Sequence, residues 1–255
     1  MKITVLAENT AVCKDIGYEH GLSLYIETDS KRILFDMGQS DLFAENAKKL
    51  GIDLGVVDIA ILSHGHYDHG GGLRTFMEIN KTAPIYINVH AFGKHYNGVE
   101  KYIGLDMTLK DNERFVFTDD VFEIEKGLTL YSCNNKEYEL LSTGLNVKEN
   151  GVMRPDTFIH EQYLLIEEEK RVLISGCSHK GIMNVVKWFE PQVLIGGFHF
   201  SKFALDDTLK GYAEYLDSFD TDFYTCHCTG VDQYKFMSEY MSRLKYLSGG
   251  TQIEL

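Results

Sequence analysis

Between Ser63 and His69 the chain reads Ser-His-Gly-His-Tyr-Asp-His, so three histidines and a carboxylate fall within six residues, His64 to His69. Neutral imidazole nitrogen and carboxylate oxygen are the donors that a borderline divalent cation such as zinc takes, with manganese and iron as further candidates. Two histidines separated by one residue on a tight loop can chelate one ion, and Asp68 and His69 just beyond can turn toward a second. Two ions roughly 3.5–4 Å apart can clamp both oxygens of a displacement reaction and activate a water between them. With only ten histidines in 255 residues, this run constrains the fold as well as the chemistry.

The preceding stretch Val56–Leu62 is apolar except for Asp58 and reads as a buried strand ending at the histidine loop. Around it, short strands alternate with helical stretches. Leu22–Ile26 and Arg32–Asp36 read as a hairpin about Asp29-Ser30-Lys31, Leu42–Leu50 as a helix closed by Gly51, and Leu73–Ile79 as a helix entered through Gly70-Gly71-Gly72. A similar order recurs later. Lys170–Ser175 resembles Lys31–Asp36, helix-like Ile182–Phe189 follows, and strand Val193–Ile195 ends at Gly196-Gly197-Phe198-His199. Two similar α/β halves are expected, each a sheet covered by helices, with the strand-end loops facing one crevice as ligand-binding loops of α/β sheets usually do. The stretch from about 91 to 150 is less periodic, carries a hairpin pattern near Arg114–Tyr131, and reads as an insertion over the active site. The remainder predicts a helix at Asp206–Asp217, a strand at Asp222–Thr225, a helix at Tyr234–Leu247 and a last strand at Gln252–Leu255. With three prolines and no Gly/Ser-rich linker, residues 1–255 are expected to form a single domain.

Composition removes several functions. A net charge of −13 argues against nucleic-acid binding, which rests on phosphate neutralisation by Lys and Arg. No apolar run approaches a membrane span, and the opening Met1–Glu8 reads as a strand and not a signal peptide. Five scattered cysteines make no disulfide framework, which points to a reducing, cytoplasmic setting. Fifteen Tyr and fifteen Phe permit an aromatic-lined crevice, although core packing explains most of them.

The loop alone cannot hold two ions. Three further histidines, His179, His199 and His227, follow apolar strands and fit a shared crevice, whereas His20, His90, His95 and His160 lie in irregular segments and read as surface or packing residues. The run His64-Gly65-His66-Tyr67-Asp68-His69 after a hydrophobic strand resembles the HxHxDH motif of metallo-beta-lactamase-fold hydrolases. Asp36 in Leu34-Phe35-Asp36-Met37-Gly38 resembles the strand-end aspartate that supports the metal loop in that superfamily. Ser175–Ile182, Gly196–Phe200 and Cys226–Gly230 narrow the resemblance to metal-dependent hydrolases related to the archaeal 7,8-dihydropterin-6-methyl-4-(beta-D-ribofuranosyl)-aminobenzene-5′-phosphate synthase.

The resemblance implies a four-layer αββα sandwich with two pseudo-symmetric halves. It implies two divalent metal ions, zinc foremost, with His64 and His66 at one, Asp68, His69 and His227 at the other, and His179 as the remaining histidine. Where the superfamily often has Gly-Asp with a bridging carboxylate, this chain has Gly176-Cys177. Cys177 then ligates, or solvent alone bridges, or His179 takes the place of the acid; a small buried thiol under the site is the other reading. Asp68 is also the expected proton acceptor, and His199 the group that stabilises a leaving group or phosphate. The implied activity is metal-dependent hydrolysis of a phosphate ester or phosphodiester. The alternatives are a dihydropterin-diphosphate-dependent transferase of the methanopterin type and a di-iron oxidoreductase, although the latter's relatives carry a flavin domain for which this chain has no room. The expected partner is a phosphorylated or pterin-like small molecule, with no nucleic acid or membrane, and homo-oligomerisation is left open.

Overall fold

The computed structural model describes residues 1–140 and 144–255. They form two compact units. The first comprises Met1–Asp119, Gly144–Gln162 and Ser248–Leu255, and the second residues 120–140 and Tyr163–Leu247.

The first unit is built on a seven-stranded sheet in the order Gln252–Glu254, Lys2–Ala7, Ser23–Glu27, Arg32–Phe35, Ile59–Ile61, Ile85–Asn88 and Phe115–Thr118. Pairing is antiparallel from the first of these to Arg32–Phe35 and parallel beyond it. Arg32–Phe35 and Ile59–Ile61 are joined through helix Leu42–Lys49, as parallel neighbours require. That helix buries Phe43, Asn46 and Ala47, on one face at spacings of three and four. The buried Asn46 is satisfied: its amide donates to Leu6 O (2.8 Å) and Gly17 O (2.9 Å) and accepts from Gly17 N (2.9 Å). The expected strand Val56–Leu62 is shorter than its apolar run. Leu54–Val56 is a 3-10 turn capped by Asp53, and Ile59–Ile61 alone are paired. A second, four-stranded antiparallel sheet in this unit joins Val152–Pro155, Leu145–Glu149, His95–Asn97 and Lys101–Tyr102.

The second unit repeats the same plan. Its sheet runs Leu244–Tyr246, Asp222–Thr225, Val193–Gly196, Arg171–Ile174, Tyr163–Glu167, Leu128–Tyr131 and Val121–Glu125. The first four strands are parallel and the rest antiparallel. Helix Ile182–Phe189 connects Arg171–Ile174 to Val193–Gly196 and buries Ile182, Val185, Val186 and Phe189. At about 1.5–3 kcal/mol for each buried side chain of this size, that stripe fixes the helix on its sheet more firmly than propensity does. Helix Asp207–Asp217 is capped by Asp206, which accepts from Thr208 N and Leu209 N.

Two sequence expectations fail here. The pattern at Arg114–Tyr131 is not one hairpin. Phe115–Thr118 extends the first sheet, and only Val121–Glu125 with Leu128–Tyr131 pair as a hairpin, in the second unit. The helix expected at Tyr234–Leu247 is confined to Val231–Met237, and Leu244–Tyr246 is a strand parallel to Asp222–Thr225. Register pairing of Phe223 with Leu244 buries Leu244 at the sheet edge, a tertiary gain that overrides local periodicity. The stretch 91–150 is divided between the units, and part of it supplies three strands of the four-stranded sheet. Among the described residues, no helix is long and apolar enough to cross a membrane.

Candidate metal centre

In the first unit, His64, Gly65 and His66 leave the end of strand Ile59–Ile61, and Tyr67–Gly70 form a single helical turn. The loop is folded so tightly that a Cβ on Gly65 would lie 2.0 Å from the carbonyl oxygen of Ala91. His64, His66 and His69 are buried, and their rings gather closely. The centroid of His64 is 4.6 Å from that of His66 and 4.1 Å from that of His69.

Asp36 organises this cluster. It follows strand Arg32–Phe35 with φ of 59°, a left-handed conformation uncommon outside glycine, and is fully buried. Its Oδ1 accepts from Ser63 N–H (2.7 Å), and its Oδ2 accepts from Ser63 O–H (2.7 Å) and from His69 Nδ1–H (2.6 Å). Because the Ser63 hydroxyl proton is committed to Asp36, the same oxygen accepts from His64 Nδ1–H at 2.8 Å. One carboxylate thus fixes the tautomers of two histidines and makes Nε2 of each the electron-pair donor. Burial lowers the His69 pKa, but the Asp36 and Asp68 carboxylates outweigh it and leave the pKa above its ordinary value. His66 is different. Burial, then the neighbouring His160 and His95, hold it well below its ordinary value, so it is a neutral donor at physiological pH. Asp68 Oδ2 lies 3.9 Å from His69 Nε2 and 3.2 Å from Nε2 of the exposed His20.

A further group lies beside His66. His95 and His160, read from sequence as surface or packing residues, are both buried, and with Asp156 and His66 they form a cluster whose ligand-capable atoms lie within 4.8 Å of one another. His95 Nδ1–H donates to Asp156 Oδ2 (2.7 Å). His160 accepts from Gly65 N–H at Nδ1 (2.9 Å), so its Nε2–H faces Asp156 at 3.4 Å. Burial alone would raise the Asp156 carboxyl, but hydrogen bonds from His160 and His95 outweigh it and hold the group below the usual carboxylate range. Gln162 adds a last support: its side-chain amide donates to Leu62 O and its backbone N–H to Ser63 O, both at 2.8 Å.

Stability follows with a definite sign. A carboxyl whose folded pKa is depressed stabilises fully above its unfolded value, near 3.9, and less as pH falls below it. Asp156→Asn is therefore expected to cost about 2 kcal/mol at pH 7, with the gap to the unchanged protein narrowing below pH ~4, as read from urea midpoints across pH.

In the second unit, three more non-glycine residues with positive φ sit just past the C-terminal ends of parallel strands. They are Ser178 (56°) after Arg171–Ile174, His199 (58°) after Val193–Gly196 and His227 (49°) after Asp222–Thr225. Strained backbone of this kind gathers at functional sites. Rings of His179 and His199 are 4.4 Å apart. Cys177, His227 and Cys228 are buried with ligand-capable atoms within 4.8 Å, and a Cβ on Gly197 would strike Cys228 Sγ at 2.3 Å. Thr229 Oγ1 accepts from Phe198 N–H (2.8 Å) and contacts Thr225 Oγ1 (2.5 Å), tying the His199 and His227 loops together.

The donor set suits a divalent cation on its own chemistry. Buried imidazoles, two of them oriented by the Asp36 relay, stand beside a carboxylate in one unit, and imidazole stands beside thiol in the other.

Residues 16–216 match the metallo-beta-lactamase superfamily, and the chain belongs to that superfamily. Its fold is accordingly the α/β metallo-beta-lactamase fold, a scaffold of metal-dependent hydrolases. The chain is 33% identical to the 7,8-dihydropterin-6-methyl-4-(beta-D-ribofuranosyl)-aminobenzene-5′-phosphate synthase of Methanocaldococcus jannaschii, with all of this chain and 96% of that one covered. It is 32% identical to an uncharacterized protein of the same archaeon, over 89% of this chain and 90% of the other. Among solved structures, Tm1679, a metal-dependent hydrolase of the beta-lactamase superfamily, aligns with a TM-score of 0.84 at 30% identity, covering 100% of this chain and 99% of that one.

Proposed function

We propose that this protein is a metal-dependent hydrolase acting on a phosphate ester or phosphodiester of small size, with two divalent ions. His64, His66 and His179 hold one ion, and Asp68, His69 and His227 the other. The observation that carries this reading is the relay from Asp36 through Ser63 to His64, and directly to His69, which presents two Nε2 lone pairs on one loop. When bound, the ions supply Lewis acidity and, with it, a nucleophilic water at neutral pH. The chain's own residues do the rest. Asp36 holds the imidazoles in register, Asp68 accepts a proton on Oδ2, and His199 donates toward developing negative charge on the leaving group or phosphate. Cys177 is a buried thiol with His227 and Cys228 near it, and zinc, a borderline cation that takes nitrogen and oxygen donors and tolerates a thiol close by, is the metal proposed. The setting proposed is the cytoplasm.

A second reading is group transfer. Identity to a named synthase along the whole chain supports a pterin-linked reaction in which diphosphate leaves and an aryl group, not water, attacks. A test separates the two. Chelation with EDTA and restoration with zinc or manganese are expected to abolish and then recover turnover of bis(4-nitrophenyl) phosphate, and His66→Ala is expected to lower it on the order of a thousandfold. Turnover only with a dihydropterin diphosphate and an aryl acceptor supports transfer instead. Undiminished turnover by His66→Ala overturns both.

A further inference from the structure

The first unit holds two contiguous cavities away from the Asp36 relay. One, of about 240 Å³, is lined by His95 and Asp156, and the other, of about 390 Å³, by Met107; Lys94, Lys110 and Lys148 line both. The three lysines come from separate segments: the entry to strand His95–Asn97, the end of the 3-10 turn Met107–Leu109, and strand Leu145–Glu149. Backbone pairing of Lys148 N–H with Lys94 O (2.8 Å) sets two of them side by side. All three are exposed, and none makes an ion pair among the described residues. On a chain of net charge −13, three exposed ammonium groups from separate segments converge on one concave surface. Two acids reach this surface. Glu149 stands at the edge, and Asp156 is turned to the histidines behind it. Phe92 and Met107 supply apolar wall.

At the inner end stands His95. Its Nδ1–H is spent on Asp156, and its buried Nε2 has no hydrogen-bond partner among the described residues. A buried polar atom without a partner is costly unless something completes it. The His95 ring is 5.5 Å from that of His66.

We propose that these cavities are a recognition site for an organic phosphate. Lys94, Lys110 and Lys148 take a phosphate that does not itself react, Phe92 and Met107 take the organic body, and a hydroxyl or N–H of that body donates to His95 Nε2. Such a ligand runs from the lysines inward to the side of His66, so the site selects substrates or co-substrates that carry a phosphate handle distant from the bond that changes. The proposal rests on the metal-centre reading for the identity of the reacting end, but not for the binding of the handle.

The test uses phenylphosphonate, whose P–C bond is not hydrolysed, titrated calorimetrically into the purified protein alongside elemental analysis. Variants are Lys94→Ala/Lys110→Ala/Lys148→Ala, a charge control Lys48→Ala/Lys49→Ala/Lys81→Ala, and His64→Ala. The expected result is a Kd raised at least about tenfold in the first variant and within about twofold in the other two, with metal content unchanged in both lysine variants. Added salt should weaken the unmodified protein's binding. Equal affinity in the first variant, or no binding to the unmodified protein at millimolar probe, overturns the proposal. Loss of binding in His64→Ala alone, with its metal, places the probe on the ions, so the lysine site is overturned and the metal reading stands. Full metal content in His64→Ala overturns that residue's ligand role while the lysine variants still decide the pocket.

Discussion

Asp36→Ala is expected to destabilise the protein by about 3–5 kcal/mol and to strip it of metal. The side chain accepts three hydrogen bonds from groups that are fully buried, Ser63 N–H, Ser63 O–H and His69 Nδ1–H. Its removal strands each of them without water to replace it, and breaking a buried charged partnership on one side costs in that range. Alanine also tolerates φ of 59° less well than aspartate does. The loss extends to chemistry, because His64 and His69 no longer have fixed tautomers; outer groups of this kind are worth about 10–100-fold in metal affinity. Asp36→Asn is the informative companion. It keeps the shape and tolerates the backbone, yet its amide can meet the His69 N–H only with its oxygen, which then leaves Ser63 N–H facing a donor. Thermal or urea unfolding together with bound metal measures both parts. A variant as stable as the parent and fully metallated contradicts the relay.

Gly65→Ala is the second large effect, at about 2–3 kcal/mol, and its cause is steric. The added Cβ would lie 2.0 Å from Ala91 O and 2.8 Å from Ala91 C. Both are backbone atoms, so the loop itself must move. Movement also pulls Gly65 N–H from His160 Nδ1, now at 2.9 Å, and shifts His64 and His66 on either side. Metal affinity should fall with stability, and no compensating side-chain rotation can prevent it. Urea midpoints and metal titration test this; a Gly65→Ala protein that keeps both contradicts the close approach.

What could be read in the sequence was local. The histidine run, its hydrophobic strand and Asp36 sit within contiguous motifs, and the two βαβ units show in repeated apolar periods. His95, Asp156 and His160 were not legible, because Asp156 lies 61 residues from the His95 ring it accepts from. Their flanking sequence is irregular, and the segments meet through strand Leu145–Glu149, which pairs with His95–Asn97 on one side and Val152–Pro155 on the other. Nor does composition reveal that Ser178, His199 and His227 occupy left-handed backbone, since that conformation is imposed by the strand ends and not preferred by the residues. The helix expected across Tyr234–Leu247 failed for a related reason: apolar spacing there serves both a short helix and a buried strand edge, and sheet pairing decides.

The most direct measurement of the central claim is the number of metal ions per chain in the purified protein and in His179→Ala and His227→Ala, with His90→Ala as a control. About two per chain in the unmodified protein and the control, falling to about one in each of the other variants, is the predicted result. Unchanged metal content in both variants, or an unmodified protein that binds none when supplied with zinc, manganese or iron, would contradict it.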